Sequence, residues 1–496
     1  MIHTDGAHNF QVRLLKTMLM NLRTWRMHLK HLCLALHLCA STCLAESHWP
    51  QFRGPGGLGI GTGKPPVEIS MEKNLKWKVE VPHGHSSPCI WGNKIALTGL
   101  HEGKLVTFCL SRADGHELWR AAVPADKIES AHRIGSPAAP TCCTDGERLF
   151  SYFGSFGVLA YDWNGKELWK KPLPLPVVEF GTSASPVVAD GKVIVVVDQD
   201  VGSYMLALDA KTGEEVWRVN RDEFRRGFAT PFVWQHDGMK ELVVCGSLWV
   251  RGYDLKDGRQ RWSVRGMARV ANASPVSADG MLLVSSWNVG GDEDDRVLME
   301  PFETFARAND ADHDGMLTRD EFPKGKIKDR YSQIDADKDG MVTRMEYDTM
   351  RGMFAEAVNQ LFAIKPGGSG DCTDTHVVWQ QNKHLPYVSS PVVANGRVFT
   401  MKNGGLASAY DARSGSPIYQ AERVDASGDY YASAVTVDGR IYVVSQRGTV
   451  VVLDATSDRL NVLSRTDLKA PVFASPAIVD GVLYQRTDKH MFAFGE

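Results

Sequence analysis

A unit of four short apolar runs recurs through most of this sequence, and it limits the possible folds more than any other feature does. Three clear copies, 136–170, 185–218 and 389–420, each begin at a Ser-Pro pair and alternate apolar runs with Gly-containing turns. Successive copies open 42 to 49 residues apart, with one longer interval of 116 residues. Four strands per unit with a period in the forties predict a β-propeller. The eight predicted openings are Pro88, Pro137, Pro186, Pro231, Pro275, Pro391, Ala434 and Pro476.

The last unit lacks one strand, which the N-terminal part of the chain can supply. Only 20 residues follow Pro476, enough for three strands. Segment 74–81 reads as a further strand, and its Trp77 matches the tryptophan that closes other units, such as Trp119. We therefore predict an all-β, eight-bladed propeller whose last blade is completed by this N-terminal strand, so that the ring of sheets is closed. Each closing tryptophan is predicted to pack between neighbouring blades.

The long interval indicates an insertion of about 73 residues within the fifth unit. Two twelve-residue segments of this insertion, 310–321 and 335–346, carry Asp at positions 1, 3 and 5, Gly at position 6 and Glu at position 12. This is the pattern of the EF-hand loop, in which Ca²⁺ takes six to eight oxygen ligands. The predicted ligands are Asp310, Asp312, Asp314, Glu321 and the Met316 carbonyl in the first loop, and Asp335, Asp337, Asp339, Glu346 and the Met341 carbonyl in the second.

The two loops are expected to form one compact helical pair. They start 25 residues apart, and Pro323 limits the helix that follows the first loop. Leu317 and Val342, at position 8 of each loop, are predicted to pair as a short ladder. Residues 292–360 contain 18 acidic and 10 basic residues, and this excess of negative charge favours a bound divalent cation.

Charge and hydropathy argue against two classes of protein. The formal net charge of −3 argues against a basic nucleic-acid-binding surface. No run of 18 apolar residues occurs, so no membrane-spanning helix is expected.

The apolar run 32–45 follows Arg23, Arg26 and Lys30 and ends in small residues, which is the order of a secretory signal peptide. We expect an exported protein, periplasmic or secreted.

These features divide the chain into five predicted parts. They are a signal peptide (1–45), a lead segment (46–73), the closing strand of blade eight with blades one to five in part (74–291), the loop pair (292–360), and the rest of blade five to blade eight (361–496). Six of the nine cysteines follow the signal segment, too few over this length for a disulfide scaffold.

The segments that lead into the innermost strands are expected to converge on the propeller axis. Mixed His, Arg, Glu and Tyr side chains there could bind an anionic or sugar-like ligand, or they could simply line a water-filled channel. No catalytic residue can be named from spacing, because no nucleophile–base or phosphate-loop pattern is present. The channel candidates are His83, His85, His132, Arg133, Glu179, Arg225, Arg226, Arg269, Asn272, Tyr387, Asp429 and Tyr430.

The repeat resembles that of the pyrroloquinoline quinone (PQQ) enzymes, as in the segment 206–213 (LALDAKTG) followed by Trp217. It is also similar to the propeller lipoprotein of the bacterial outer-membrane assembly machine. The segment 49–55 (WPQFRGP) resembles the opening of exported PQQ-like propeller proteins. The resemblance implies the propeller fold over residues 49–496 apart from the insertion, but it is weak for chemistry because propellers carry many functions.

The resemblance raises the question of a PQQ cofactor. Dehydrogenases of this type carry a vicinal disulfide against the cofactor, and Cys142-Cys143 is the matching pair. In the repeat, however, the pair aligns with Val188-Ala189, where an inner strand requires apolar side chains. A buried cysteine can serve there as a small hydrophobic residue. We therefore do not expect PQQ to bind.

Together these patterns predict a non-catalytic, exported propeller that binds two Ca²⁺ ions and acts as a binding scaffold. Its ligand at the propeller mouth is expected to be an unidentified protein or a carbohydrate-like molecule. Two alternatives remain open: a PQQ-dependent dehydrogenase or other enzyme that uses the channel, and an outer-membrane protein assembly factor.

Overall fold

The computed structural model describes residues 48–496, whose strands form eight sheets of four antiparallel strands, one of them extended by a fifth strand, and one separate two-stranded sheet. In seven of them the strands follow one another in chain order, so that each repeat unit forms one blade. The predicted all-β, eight-bladed propeller is confirmed. The predicted signal segment, 1–45, lies outside the described residues. Among residues 48–496, no helix is long and apolar enough to cross a bilayer.

The strand bounds of the first four blades follow the alternation of apolar runs and turns. Blade one comprises Cys89–Trp91, Lys94–His101, Lys104–Ser111 and Glu117–Ala122; blade two Cys143–Thr144, Arg148–Phe153, Gly157–Asp162 and Glu167–Pro172; blade three Val187–Ala189, Lys192–Val197, Tyr204–Asp209 and Glu215–Asn220; blade four Phe232–His236, Met239–Cys245, Trp249–Tyr253 and Gln260–Arg265. A two-residue strand, Gly370–Asp371, pairs in parallel with the outermost strand of blade four.

The remaining blades include the interrupted one and the one that closes the ring. Blade five comprises Val276–Ala278, Met281–Ser286, Gln360–Ile364 and Val377–Gln381; blade six Val392–Ala394, Arg397–Lys402, Leu406–Asp411 and Pro417–Arg423; blade seven Val435–Val437, Arg440–Val444, Thr449–Asp454 and Val462–Asp467; blade eight Ala477–Val479, Val482–Arg486, His490–Phe494 and Leu75–Glu80. The N-terminal strand thus pairs with the C-terminal one, and Trp77 lies opposite Ala493. The predicted closure is confirmed.

The tryptophans of the outermost strands join blades one, two, three, five and eight to the next blade by hydrogen bonds, whereas Trp262 of blade four donates to Glu241 of its own blade. Trp119 lies opposite the small Cys109, and its indole N–H donates to the carbonyl of Trp163 in blade two at 3.1 Å. A Cβ atom at Gly165, whose φ is +88°, would lie 2.7 Å from the same indole, so this turn requires glycine. Equivalent bonds to the next blade, 3.1 to 3.2 Å long, are made by Trp77, Trp169, Trp217 and Trp379.

A closed ring of hydrogen bonds joins the eight innermost strands. In each blade the backbone N–H of one Ser or Thr donates to the hydroxyl oxygen of the matching residue in the next blade, over 2.8 to 3.1 Å. We call these residues the hydroxyl ring. Its members are Ser87, Thr141, Ser185, Thr230, Ser274, Ser390, Ser433 and Ser475.

The hydroxyl ring corrects the predicted opening of the second unit. Thr141 takes the position that precedes the opening proline in most units, so blade two opens at Cys142 and not at Pro137. The Ser-Pro pair at Pro137 belongs to a long connection between blades one and two. The cysteine pair therefore aligns with Pro186-Val187, two residues earlier than the predicted Val188-Ala189.

Residues 287–359 separate the second and third strands of blade five and contain three α-helices. These are α1 (Phe302–Asn309), α2 (Tyr331–Ile334) and α3 (Arg344–Glu356). The short strands Leu317–Thr318 and Met341–Val342 pair antiparallel, with Leu317 opposite Val342 as predicted. Outside this segment, α4 (Thr373–His376) precedes the last strand of blade five. The 3-10 helices of the described chain are Pro55–Gly57, Glu293–Asp295, Arg319–Glu321 and Lys328–Arg330.

The segment that precedes the first strand lies across the innermost strands of several blades. Trp49 bridges to Ile90 in blade one, and the carbonyl of Pro50 accepts from the backbone of blade two at 2.9 Å. The buried Arg53 donates to the carbonyl of Pro391 in blade six at 2.6 Å. These contacts hold the segment against the innermost strands, next to the hydroxyl ring.

Candidate functional site

The two acidic loops of the insertion share one hydrogen-bond pattern. In the first, both carboxylate oxygens of Asp310 accept from backbone N–H groups of the loop, at 2.7 and 3.1 Å. Glu321 accepts from the N–H of Ala311 at 2.8 Å and of Thr318 at 2.7 Å. Gly315 has a φ of +84°, so the turn at position 6 uses the left-handed region that glycine tolerates.

The second loop repeats these contacts residue by residue. Asp335 accepts from two backbone N–H groups at 2.9 and 3.3 Å, and Glu346 accepts from Ala336 and Thr343, each at 2.8 Å. Gly340 has a φ of +88°. Burial raises the pKa of Asp335, because the charged carboxylate is disfavoured when it is removed from water.

The carboxylates of each loop converge on one point. Oxygen atoms of Asp310, Asp312 and Asp314 all lie within 4.8 Å of one another, and so do those of Asp335, Asp337 and Glu346. The structure therefore brings together three of the four predicted carboxylate ligands in each loop. Asp339 accepts from the N–H of Met341 at 2.8 Å, and Glu321 is held by the loop backbone. All these donors are oxygens, the ligand type that Ca²⁺ prefers.

The helices around the loops bury their apolar faces in a single small core. Phe305 of α1 lies 5.2 Å from Tyr347 of α3, measured between ring centroids, and Leu317 and Val342 of the ladder are fully buried. Phe354 of α3 belongs to the same core. The helices and the ladder thus share one closed apolar core.

A cavity of about 290 Å³ lies inside the hydroxyl ring, all eight members of which line it. The loops that lead into the innermost strands supply most of its other lining residues. The principal ones are His85, Phe180, Arg226, Phe228, Arg269, Asn272, Tyr387, Tyr431 and Phe473. Phe52 lines it from the N-terminal segment and Gln333 from the insertion.

The predicted channel residues occupy different positions relative to this cavity. Five of the candidates line it, namely His85, Arg226, Arg269, Asn272 and Tyr387, whereas His83, His132, Arg133, Glu179, Arg225, Asp429 and Tyr430 do not. Glu179 still contacts the lining through Arg226, and His132 packs on Phe180. Tyr430 is fully buried and donates to the carbonyl of Ala426, so its neighbour Tyr431 takes the lining position. The lining phenylalanines, Tyr431 and the ring hydroxyls were missed, although the Ser-Pro starts of the repeat were a visible signal for the hydroxyls.

The charged groups at the mouth are mostly paired. Arg226 donates to Asp200, which is buried, and to Glu179 at 2.9 Å. Lys338, at position 4 of the second loop, lies 3.6 Å from the same Asp200 carboxylate. Burial and the nearby Arg486 lower the pKa of His85 to about 3, so this ring is neutral at pH 7.

The segment that leads into the second loop contacts the mouth of the cavity directly. The carbonyl oxygens of Ser332 and Gln333 accept from Arg226 and Arg225, each at 3.3 Å. The side-chain oxygen of Gln333 accepts from Arg269 at 3.0 Å. Asp335 begins the second loop only two residues after Gln333, so this loop starts directly beside the mouth of the cavity.

The cysteine pair is buried in the innermost part of the propeller wall. Cys142 packs against Cys89, and Cys143 lies on the first strand of blade two opposite Phe150; both thiols are free and fully buried. Burial raises the pKa of Cys142 to about 12 and that of Cys143 well above its usual range. Both residues therefore act as small apolar side chains here.

Both thiols are expected to resist alkylation in the folded protein. Because the thiolate is the reactive form, iodoacetamide should modify Cys142 and Cys143 at least roughly a hundredfold more slowly at pH 8 than in the guanidinium-unfolded chain. Peptide mass spectrometry after timed quenching measures both rates at each residue. Equal rates in the two states would contradict the burial of this pair.

Comparison with known proteins agrees with the propeller fold. A crystal structure of BamB from Moraxella catarrhalis superposes with a TM-score of 0.53 at 13% identity, and it covers 84% of this chain and 98% of its own. The quinohemoprotein alcohol dehydrogenase from Comamonas testosteroni gives a TM-score of 0.56 at 11% identity, over 90% of this chain and 80% of its own. At these identities the likeness concerns the fold alone.

Sequence comparison relates the chain to a more specific group of proteins than the fold does. The outer membrane protein assembly factor BamB of Alkalilimnicola ehrlichii is 28% identical over 140 residues, which are 28% of this chain and 33% of that relative. The chain thus matches about a third of that relative's length. A family model described as outer membrane protein assembly factor BamB matches residues 77–291 and 404–495, on both sides of the insertion. Because these ranges make up more than half of the sequence, the chain belongs to this family of PQQ-type repeat propellers.

Proposed function

We propose that this protein is an exported, calcium-binding propeller that serves as a non-catalytic binding scaffold. The two inserted loops each bind one Ca²⁺ ion, and the propeller presents the surface on which a partner docks. The main support for calcium binding is that oxygen atoms of three carboxylates in each loop lie within 4.8 Å of one another. The two loops also share the same pattern of backbone hydrogen bonds. Export is supported by the apolar run 32–45 after basic residues.

The donor set of both loops fits Ca²⁺ better than a transition metal. Every candidate ligand is an oxygen, with Asp310 and Asp335 at position 1 and Glu321 and Glu346 at position 12, and no His or Cys lies in either group. A bound ion supplies positive charge to a segment with an excess of acidic residues. Calcium therefore stabilises the core of the insertion, and the 25-residue spacing of the loops together with Pro323 favours a compact pair that does not open a large groove.

The scaffold part of the proposal is supported by the family. Its description, and that of the Alkalilimnicola relative, name an outer membrane protein assembly factor. A role in outer-membrane protein assembly is accordingly the second candidate function. Affinity purification from envelope extracts distinguishes the two: recovery of outer-membrane assembly proteins supports the assembly role, and their absence favours another partner.

Calorimetric titration of the purified mature chain with Ca²⁺ tests the calcium sites. We expect binding of two ions per chain, while Mg²⁺ at the same concentration binds more weakly because it demands octahedral geometry and holds its waters. Limited proteolysis gives a second readout: residues 295–360 should be protected in millimolar Ca²⁺ and cleaved in EGTA. A flat titration together with equal digestion under both conditions would refute calcium binding.

A further inference from the structure

The insertion is attached to the propeller through the segment that leads into its second loop. The carbonyl oxygens of Ser332 and Gln333, at the end of α2, accept from Arg226 and Arg225, each at 3.3 Å. Carbonyl groups in the last turn of a helix have no partner within the helix, so these arginines supply the missing donors. Both arginines are buried and belong to the connection between blades three and four.

Lys338 makes a further contact from within the second loop. It occupies position 4, and its ammonium lies 3.6 Å from the carboxylate of Asp200, a buried residue of blade three. The same ammonium donates to the carbonyl of Asp335, the first predicted ligand, at 2.7 Å. Asp200 also accepts from Arg226 at 3.0 Å, so one buried carboxylate links the loop to an arginine of the propeller mouth. We call the contacts of residues 332–338 with the propeller the clamp.

The first loop makes no comparable contacts. His313 occupies its position 4 and is exposed. Within residues 48–496, no hydrogen bond or ion pair joins residues 310–321 to a blade; their side-chain hydrogen bonds stay within the insertion. The two loops therefore match in sequence and in internal hydrogen bonds, but only the second is fastened to the propeller.

Two other contacts position the insertion independently of the clamp. At its root, the side chain of Asn359 accepts from the backbone N–H of Asn288 at 2.8 Å and donates to the Asn288 carbonyl at 3.0 Å. On α3, the ring of Phe354 lies 5.2 Å from the guanidinium of Arg269, which belongs to the connection between blades four and five. The insertion is thus held at its root, and the clamp is a second, separate attachment.

We propose that Ca²⁺ in the second loop strengthens the clamp, whereas Ca²⁺ in the first loop does not. This inference rests on the proposed calcium function and deepens it. The ion and the clamp require the same backbone conformation, because Asp335 lies between the two carbonyls that the arginines hold and Lys338. Each event therefore reduces the conformational entropy that the other must lose, which couples them favourably.

The coupling gives calcium a route to the propeller that does not require the loop pair to open. Without the ion, the carboxylates of the second loop repel one another and segment 332–338 is less well ordered. The loops of the propeller mouth that receive the clamp then lose part of their support. Calcium thereby sets the state of the face that the scaffold presents at its mouth.

Hydrogen exchange of the full mature chain, measured by mass spectrometry in Ca²⁺ and in EGTA, tests the clamp. The readout is the connection 221–231, which contains Arg225 and Arg226 and none of the predicted calcium ligands. Coupled sites commonly affect each other by about 5- to 150-fold, so Ca²⁺ should slow exchange there at least about fivefold. The equivalent connection between blades six and seven, 424–434, is the control and should exchange at the same rate in both solutions.

Variants identify which ion is responsible, at a calcium concentration just sufficient to saturate the unmodified chain. Glu346→Gln should abolish the calcium effect on 221–231, and Glu321→Gln should retain it. Lys338→Asn and His313→Asn form a second matched pair at position 4, where φ is +66° and +61° and asparagine is tolerated. Lys338→Asn should lose part of the protection, and His313→Asn should lose none.

A chain that binds two ions by calorimetry without any change of exchange in 221–231 would overturn the clamp and leave the calcium sites standing. The same calcium effect in Glu346→Gln as in Glu321→Gln, or in Lys338→Asn as in His313→Asn, would overturn it as well. A flat titration would refute the calcium sites themselves and the clamp with them.

Discussion

Glu346→Gln is expected to weaken calcium binding at the second loop by roughly a hundredfold or more, while the first loop keeps its ion. Position 12 of such a loop supplies a bidentate carboxylate, and glutamine offers a single neutral oxygen in its place. Glu346 is buried and lies with Asp335 and Asp337 in one cluster of oxygens. Calorimetry should then detect one ion per chain where the unmodified protein binds two.

The substitution is well suited to this purpose because it spares the local fold. Glu346 also forms the capping box of α3, in which Thr343 accepts from its N–H at 3.3 Å, and glutamine fills the same role in such boxes. The reciprocal variant Glu321→Gln should remove only the ion of the first loop. Asp348→Asn, on the exposed side of α3 beside Arg344, is the control and should leave both sites intact. Two unchanged sites in Glu346→Gln would exclude the proposed coordination.

The period of the repeat was enough to predict the architecture, because it reflects local structure. Alternating apolar runs, glycine turns and the closing tryptophans fix the strands of one blade, and the incomplete last unit indicates that Leu75–Glu80 closes it. The predicted opening of blade two, Pro137, was wrong because the connection from blade one contains a Ser-Pro pair of its own. Only the contact of Thr141 with Ser87 and Ser185, across blades, identifies the true position.

The composition of the cavity depends on contacts that no local pattern encodes. Arg269 meets Gln333, 64 positions further along the chain, because the insertion returns to the propeller mouth. Likewise, Tyr430 and Tyr431 are neighbours in sequence, yet one is buried in the core and the other lines the cavity. The conformation of a connecting loop, unlike that of a strand, has no period from which the direction of a side chain can be predicted.

A buried ion pair between two residues that directly follow strands of blade three provides the other large expected effect. Arg221 donates to both carboxylate oxygens of Asp198 at 2.7 Å, and both side chains are completely buried. Arg221 also donates to the hydroxyl of Tyr253 and stacks on Phe224 at 4.0 Å. Burial alone would lower the pKa of Arg221, but the Asp198 carboxylate outweighs it and the pKa is raised. Since a guanidinium keeps its proton in proteins, loss of Asp198 would leave a charged group without its partner.

Asp198→Ala is accordingly expected to lower the free energy of unfolding by about 3–5 kcal/mol, because it leaves the Arg221 charge buried and unpaired. Replacing both partners, Asp198→Leu with Arg221→Met, should cost much less, since no isolated charge remains. On the outermost strand of blade three, Glu215 pairs with Arg218 at 2.7 Å in a partly exposed setting, so Glu215→Ala should cost less than about 1 kcal/mol. Guanidinium denaturation of the unmodified protein and the three variants, followed by tryptophan fluorescence, measures these losses; Asp198→Ala should show the largest. A double variant as unstable as Asp198→Ala would show that the loss arises from packing and not from the unpaired charge.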